Sequence, residues 1–269
     1  MIYQFDKSQV RREPFPHLVS DAMLEAQAFE ALRREFPDTS IFEANRKQAF
    51  AAGRASRINL GRGDPLFDKF LSTSPAWRAF VDETNSPAFI AKVLDCFEEA
   101  LPASGSTIAQ KEYAFHDEVA RPPMNLAYRA ANRLGLIEKL DRMRAALDGN
   151  KLCVEFDIAW ARNGYATEAH VDNRNKLAAM LIYFGDTGGS GGDFQMLKLK
   201  QPKPLSECKR YPRDDELEVV ATLRPKPNRG IVFLNSNNSY HSVTPLSGSD
   251  RPRQFIYVSI ASRYTAPIW

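Results

Sequence analysis

Cysteine is scarce in this 269-residue chain: Cys96, Cys153 and Cys208 lie far apart, and no CxxC pair occurs. An odd number of scattered thiols argues against a disulfide framework and against a cysteine-rich zinc site. Three reduced thiols suit a cytoplasmic protein. No apolar run approaches the roughly 20 residues that cross a bilayer, so no membrane association is expected. The opening MIYQFDKSQVRREPF also lacks the apolar stretch of a signal peptide. Neither sign of charge is in excess: 36 Lys and Arg against 33 Asp and Glu leave +3. The bases are spread among acids instead of forming a basic face, so no nucleic-acid partner is expected. No internal repeat of about 20–50 residues is visible. What remains, 43% hydrophobic and 26% charged residues, is an ordinary globular composition with enough chain to bury a sizeable core.

The patterning divides the chain in two. Residues 15–19 form a short apolar stretch that predicts a strand. Ser20 or Asp21 can then cap a helix carrying Met23, Leu24, Ala28, Phe29, Leu32 and Phe36 at helical spacing, stopped by Pro37. A glycine-bearing loop with Gly53, Gly61 and Gly63 is expected next. Helical spacing resumes after Ser74-Pro75, again over residues 86–101, and again over 123–147 with Gly149 as a stop. From Lys151 the period changes to two. Leu152, Val154, Phe156 and Ile158 alternate with Cys153, Glu155 and Asp157, which predicts a strand. Further strands are expected over 176–184, 193–200, 217–223, 230–234 and 254–261, with a long proline-bearing loop over 200–215. A helical first half followed by six or more short strands predicts an α+β chain whose second half is a sandwich, barrel or jelly roll.

Only four histidines exist, so each can be weighed. His17 sits in an apolar segment and His116 beside two acids, and neither has a second histidine at ligand spacing. His170 and His241 are different. In an extended His170-Val171-Asp172, residues i and i+2 project to one side, which sets an imidazole beside a carboxylate. His241 follows a strand and a turn-like SNNSY, and an antiparallel barrel can return it to the same mouth. Two imidazoles and one carboxylate are the donor set of the facial non-haem Fe(II) site, which keeps open coordination positions.

The order of the following motifs makes the reading specific. After His170-Val171-Asp172 come an apolar strand ending in Tyr183-Phe184, a Gly191-Gly192 turn into Asp193-Phe194, the strand Ile231 to Leu234, His241-Ser242-Val243-Thr244-Pro245, and a basic residue opening a last strand, Arg253-Gln254-Phe255-Ile256-Tyr257-Val258. In this order the sequence resembles the 2-oxoglutarate- and Fe(II)-dependent dioxygenases, prolyl-hydroxylase-like branch, over about residues 152–262. The resemblance implies a double-stranded β-helix, or jelly roll, in the C-terminal half. Helices from the N-terminal half would buttress it. It also implies a single dioxygenase domain over 1–269, with a mainly helical support region at 1–150, a catalytic core at 151–262 and a tail at 263–269.

Carried over residue by residue, the resemblance implies His170, Asp172 and His241 as catalytic iron ligands. Fe(II), 2-oxoglutarate and O2 are the implied cofactors. An arginine after His241 should hold the distal carboxylate of 2-oxoglutarate. Arg251 has the commoner distance from the histidine. Arg253 sits better on the strand, sharing one alternating face with Phe255 and Tyr257, while Pro252 cannot donate to a ladder; this favours Arg253. Tyr183 matches a position whose hydroxyl assists the same carboxylate, and its alternative role is a core aromatic. Asn235, Asn237 and Asn238 precede His241 and either hold its turn or orient it. Asn173, Arg174 and Lys176 after the first motif, and Trp160, Arg162 and Tyr165 before it, could line the mouth.

The implied reaction hydroxylates an unactivated C–H bond while 2-oxoglutarate and O2 become succinate and CO2. Halogenating relatives lack the carboxylate that Asp172 supplies, so its presence points to hydroxylation. The substrate, a small molecule, an amino acid or a peptidyl group, is not legible. Two other readings use the same residues: a non-catalytic cupin-like binding module, and a zinc hydrolase on the same triad, where a buried arginine for a dicarboxylate has no evident use.

Overall fold

Period-two patterning in the second half of the chain becomes two sheets, and both faces of the larger one are buried. The computed structural model describes residues 1–53, 55–108, 113–117, 131, 134–148, 151–186, 188–263 and 268–269. Its strands are β1 (His17–Ser20), β2 (Arg57–Gly61), β3 (Ala114–Phe115), β4 (Lys151–Ala161), β5 (Thr167–His170), β6 (Lys176–Tyr183), β7 (Phe194–Leu199), β8 (Leu217–Leu223), β9 (Gly230–Leu234), β10 (His241–Val243) and β11 (Arg253–Ser262). The major sheet runs β1-β9-β6-β11-β4-β2, with β3 added parallel to β4, and the minor sheet runs β5-β10-β7-β8. The double-stranded jelly roll expected of the C-terminal half is present. It also recruits β1 and β2 from the first half.

Alternation along β4 and β11 sorts side chains into two cores. Val154, Phe156, Ile158 and Trp160 of β4 and Ile256, Val258 and Ile260 of β11 face the helices. Ala159, Ala161 and Phe255 face the space between the sheets, where they meet Leu181, Tyr183, Phe194, Met196 and Val243. Small residues on β4 leave that inner space open around the site. The helices α1 (Ala26–Arg34), α2 (Ala44–Ala51), α3 (Pro65–Thr73), α4 (Pro75–Thr84), α5 (Pro87–Cys96) and α6 (Leu136–Asp148) supply the support. Aromatic rings dominate their contact with the sheet: Trp77 stacks on Phe184 at 5.4 Å, Phe29 on Phe184 at 5.3 Å, and Phe80 meets Phe156 at 5.8 Å between centroids. Each buried ring removes about 150–250 Å² from water, roughly 4–6 kcal/mol gross at 25 cal/mol per Å². This makes the buttressed sheet the rigid wall of the site. No helix among the described residues is long and apolar enough to cross a membrane.

The structure departs from the expected elements in the first half. The first helix starts at Ala26, not after Ser20. The N–H groups of Met23 and Leu24 are taken by the Asn228 carbonyl and its side-chain oxygen, each at 2.9 Å. Glu25 caps the helix instead, its carboxylate accepting from the N–H of Gln27 and Ala28. The stretch read as a glycine loop contains α2 and β2, and α3 follows it. Ile58 and Leu60 are buried, and β2 pairs with the edge of β4, Arg57 opposite Ala161. Five residues flanked by glycines gave too short an alternation to stand out. Of the helical run expected at 123–147, residues 123–130, 132 and 133 and its Gly149 stop lie outside the described residues, and α6 begins at Leu136.

Candidate metal centre and its cavity

His170 ends β5, which pairs with β10 so that His170 lies opposite His241. The Gly191-Gly192 turn makes that pairing possible. Gly191 has φ +75°, and a Cβ there would overlap the Pro245 carbonyl. Glycine alone lets the turn lie against the segment after His241. The N–H of Gly192 then donates to the Thr244 carbonyl at 3.0 Å, and β7 docks beside β10. Asp172 lies two residues past His170, just beyond the strand, while Val171 between them points into the core and is buried.

This local geometry brings His170, Asp172 and His241 together, with one donor atom of each within 4.8 Å of the others. The imidazole Nδ1 of His170 is 2.8 Å from the Glu168 carbonyl, and that of His241 is 3.0 Å from the Ser239 carbonyl. A carbonyl only accepts, so each neutral ring carries its proton on Nδ1 and keeps the Nε2 lone pair for the shared space. Burial pushes His241 down to about 4, against the pull of the Asp172 charge, so the ring is a neutral donor at pH 7. Burial pushes the Asp172 carboxyl up, but His241, Lys176, His170 and the Tyr257 hydroxyl outweigh it, and the net direction is down. Asp172 is therefore an anion facing the Nε2 atoms of two imidazoles. That set suits a divalent first-row metal with positions to spare.

A cavity of about 250 Å³ opens beside the triad, lined among others by Arg57, Tyr165, Lys176, Leu181, Arg253 and Tyr257. Arg253 is 1% exposed. Among the described residues none of its three guanidinium nitrogens has a hydrogen-bond partner, nor does the Tyr183 hydroxyl. Aromatic faces surround the cation instead, with Tyr183 and Phe255 each at 4.8 Å and Tyr165 at 5.9 Å from the guanidinium carbon. Burial pushes the Tyr183 hydroxyl up, only partly offset by Arg253, so it keeps its proton and can donate. A buried cation with five unused donors beside a protonated hydroxyl is an anion receptor. A carboxylate fits the planar fork. The residues present thus fit both a divalent metal and the distal carboxylate of a chelating dicarboxylate.

Arg251 is not brought to this cavity. It lies before β11, exposed, with its Nε 3.7 Å from the Asp250 carboxylate. Pro252 separates it from the strand, so it is solvated where Arg253 is enclosed. His17 is buried on β1, its Nδ1 2.8 Å from the Phe15 carbonyl, and is not one of the clustered donors. Asn235 is fully buried, and neither polar atom of its side chain has a hydrogen-bond partner among the described residues. The turn before His241 is held by Ser236, Asn238 and Ser239 instead. Trp160 faces the helices, and Arg162 donates to the carbonyls of Phe50 and Ala51.

Several residues at the site were not singled out for it by the sequence. Tyr211 of the long 200–215 loop stacks on His170 at 6.1 Å between centroids, and Arg210 exchanges hydrogen bonds with the backbone of Val171 at 3.1 and 3.2 Å. Arg57, on the strand read as a loop, reaches the Tyr165 hydroxyl at 3.3 Å and lies over the Phe255 ring. Tyr257 donates to the second carboxylate oxygen of Asp172 at 2.9 Å. Of these, only Tyr257 carried a signal, its parity with Arg253 on β11.

Residues 156–269 match the model of the 2OG-Fe(II) oxygenase superfamily. Its cofactors are Fe(II), 2-oxoglutarate and O2, and the His170, Asp172 and His241 cluster lies inside the matched oxygenase segment. No curated protein matches the chain in sequence. Among solved structures, a prolyl 4-hydroxylase from Phytophthora capsici aligns at 14% identity and a TM-score of 0.43, over 93% of this chain and 60% of that one. A Pseudomonas putida prolyl-4-hydroxylase aligns at 14% identity and a TM-score of 0.36, over 93% of this chain and 88% of its own. A prolyl hydroxylase from Trichoplax adhaerens, solved with a hypoxia inducible factor peptide fragment, aligns at 13% identity and a TM-score of 0.39, over 91% and 83%.

Proposed function

We propose that the protein is an Fe(II)- and 2-oxoglutarate-dependent hydroxylase, with His170, Asp172 and His241 as metal ligands and Arg253 as the anchor of the cosubstrate. One observation carries the reading: a buried guanidinium with no hydrogen-bond partner among the described residues lines the same cavity as the triad. A zinc hydrolase has no evident use for such a cation, and its place on the triad's own cavity suits an anion that reaches the metal as well. When bound, iron and 2-oxoglutarate supply the oxidation: the cosubstrate and O2 become succinate and CO2, and one oxygen atom enters a substrate C–H bond.

The chain's own residues position and enclose. Nε2 of His170 and His241 and one oxygen of Asp172 would hold the ion. The Arg253 fork takes the distal carboxylate, and the Tyr183 hydroxyl adds a donor. Phe255, Tyr165 and Leu181 keep water from the pair, which strengthens it. The cavity, about 250 Å³, is below the roughly 300–1,000 Å³ of pockets that swallow a drug-sized ligand. Once a dicarboxylate occupies the Arg253 end, only the reacting part of a substrate enters. The remainder rests on the mouth near Tyr211 and Arg210. This suits an amino-acid-like or short aliphatic group, free or as part of a larger molecule.

The test is 2-oxoglutarate added to the anaerobic Fe(II) protein. A weak visible metal-to-ligand charge-transfer band is expected in the parent and is lost in His170→Ala, Asp172→Ala and His241→Ala, together with succinate formation on admitting O2. A parent protein that binds Zn(II) but gives neither band nor succinate would be a hydrolase or a binding module.

A further inference from the structure

Asp172 has two oxygens, and the structure treats them differently. Oδ1 lies 3.9 Å from Nε2 of His170, on the side of the shared donors. Oδ2 accepts from the Tyr257 hydroxyl at 2.9 Å. The Tyr257 oxygen accepts in turn from Nζ of Lys176 at 3.1 Å. Lys176 is paired with Glu155 at 3.0 Å, and Glu155 also accepts from the Ser259 hydroxyl at 2.9 Å. The hydroxyl of Tyr257 has one proton. With Lys176 donating to its oxygen, that proton has only Asp172 to go to, so the chain of bonds runs one way.

Strand pairing assembles this arrangement. Tyr257 and Ser259 are successive inward positions of β11, Glu155 lies opposite Ser259 on β4, and Lys176 opens β6. The ammonium also lies over the Tyr257 ring at 4.7 Å, which holds the phenol from below. Lys176 is 15% exposed on its side chain, and Glu155 balances its charge, so the pair adds no net positive charge next to a metal.

We infer that Tyr257, braced by Lys176 and Glu155, is a positioning residue that makes Asp172 a one-oxygen ligand. This rests on the metal-site reading given above. It matters because a carboxylate can bind through both oxygens. With two imidazoles, that would occupy four positions of a six-coordinate ion, and a chelating 2-oxoglutarate would fill the last two. Capping Oδ2 with a hydroxyl keeps a position open for O2.

The experiment reads metal binding without turnover. Co(II) is titrated into the metal-free full-length protein and followed by its visible absorption, with the melting temperature of each metal-free variant measured alongside. The variants are Tyr257→Phe, the charge-balanced pair Lys176→Met with Glu155→Gln, all three changes together, and His170→Ala. Tyr257→Phe is expected to keep the parent's melting temperature, weaken Co(II) about 10–100-fold, and change the Co(II) spectrum as the second oxygen enters. The Lys176→Met and Glu155→Gln pair is expected to weaken binding several-fold by itself and to add nothing to Tyr257→Phe, since it acts through the same hydroxyl.

A Tyr257→Phe protein with parental affinity and spectrum overturns the inference, while loss of binding in His170→Ala would leave the metal site standing. Full additivity of the two sets of changes removes Lys176 and Glu155 from the arrangement. A parent protein that binds no Co(II) overturns both the metal site and its support.

Discussion

Arg253→Met separates stability from binding. In the ligand-free protein Arg253 is a cation at 1% exposure with no hydrogen-bond partner among the described residues. An uncompensated buried charge costs several kcal/mol. Three ring faces within 6 Å of the guanidinium carbon return about 0.5–2 kcal/mol each. The balance leaves a net cost on the order of 1–2 kcal/mol. Methionine fills similar length without the charge. Removing that cost should raise the melting temperature of the ligand-free protein by about 2–8 °C for a chain of this size. Binding should move the other way. Losing a buried charge pair to a carboxylate costs about 2–4 kcal/mol, or roughly a 30- to 1,000-fold rise in the 2-oxoglutarate dissociation constant. Arg251→Ala removes an arginine whose side chain is 68% exposed, so its effect should stay below about 1 kcal/mol. Differential scanning calorimetry of the ligand-free proteins and titration of 2-oxoglutarate into the anaerobic Fe(II) proteins measure both quantities. The reasoning fails if Arg253→Met melts lower than the parent yet binds 2-oxoglutarate within about threefold of it, or if Arg251→Ala is the more damaging change.

Gly191→Ala should destabilise by about 2–4 kcal/mol, because φ is +75° and the new Cβ overlaps the Pro245 carbonyl. Gly164→Ala, with φ +88° but nothing within 4 Å, should cost only the left-handed backbone term of about 1–2 kcal/mol; equal losses in chemical denaturation would show that the Pro245 contact is irrelevant. His17 is held below its ordinary value by burial, with the Arg11 charge adding and the bond to the Phe15 carbonyl opposing. A lowered histidine takes up its proton in the unfolded chain first, so stability falls as pH drops below about 6.5 toward the folded value. His17→Gln should flatten that acid limb of a melting-temperature profile relative to the parent, and an unchanged slope would mean that His17 does not titrate on unfolding.

The order of the site motifs was legible in the chain because each depends on local chemistry. Alternation sets which side of a strand a residue faces. That was enough to put Arg253 with Phe255 and Tyr257, and to favour it over Arg251, which precedes a proline that cannot join the ladder. The glycine pair and the spacing of His170, Asp172 and His241 are likewise statements about turns and i, i+2 geometry. What escaped the sequence is long-range. Arg57–Gly61 is a strand only because β4 offers an edge to it, and α1 starts late because Asn228, about 200 positions away, takes the N–H groups that a helix would have left to a cap. Glu155, Lys176 and Tyr257 look like unrelated polar residues in three separate strands. Only the register of β4, β6 and β11 brings them to one carboxylate oxygen. No local pattern encodes that register, since strand pairing is chosen by how the whole of both faces can be buried.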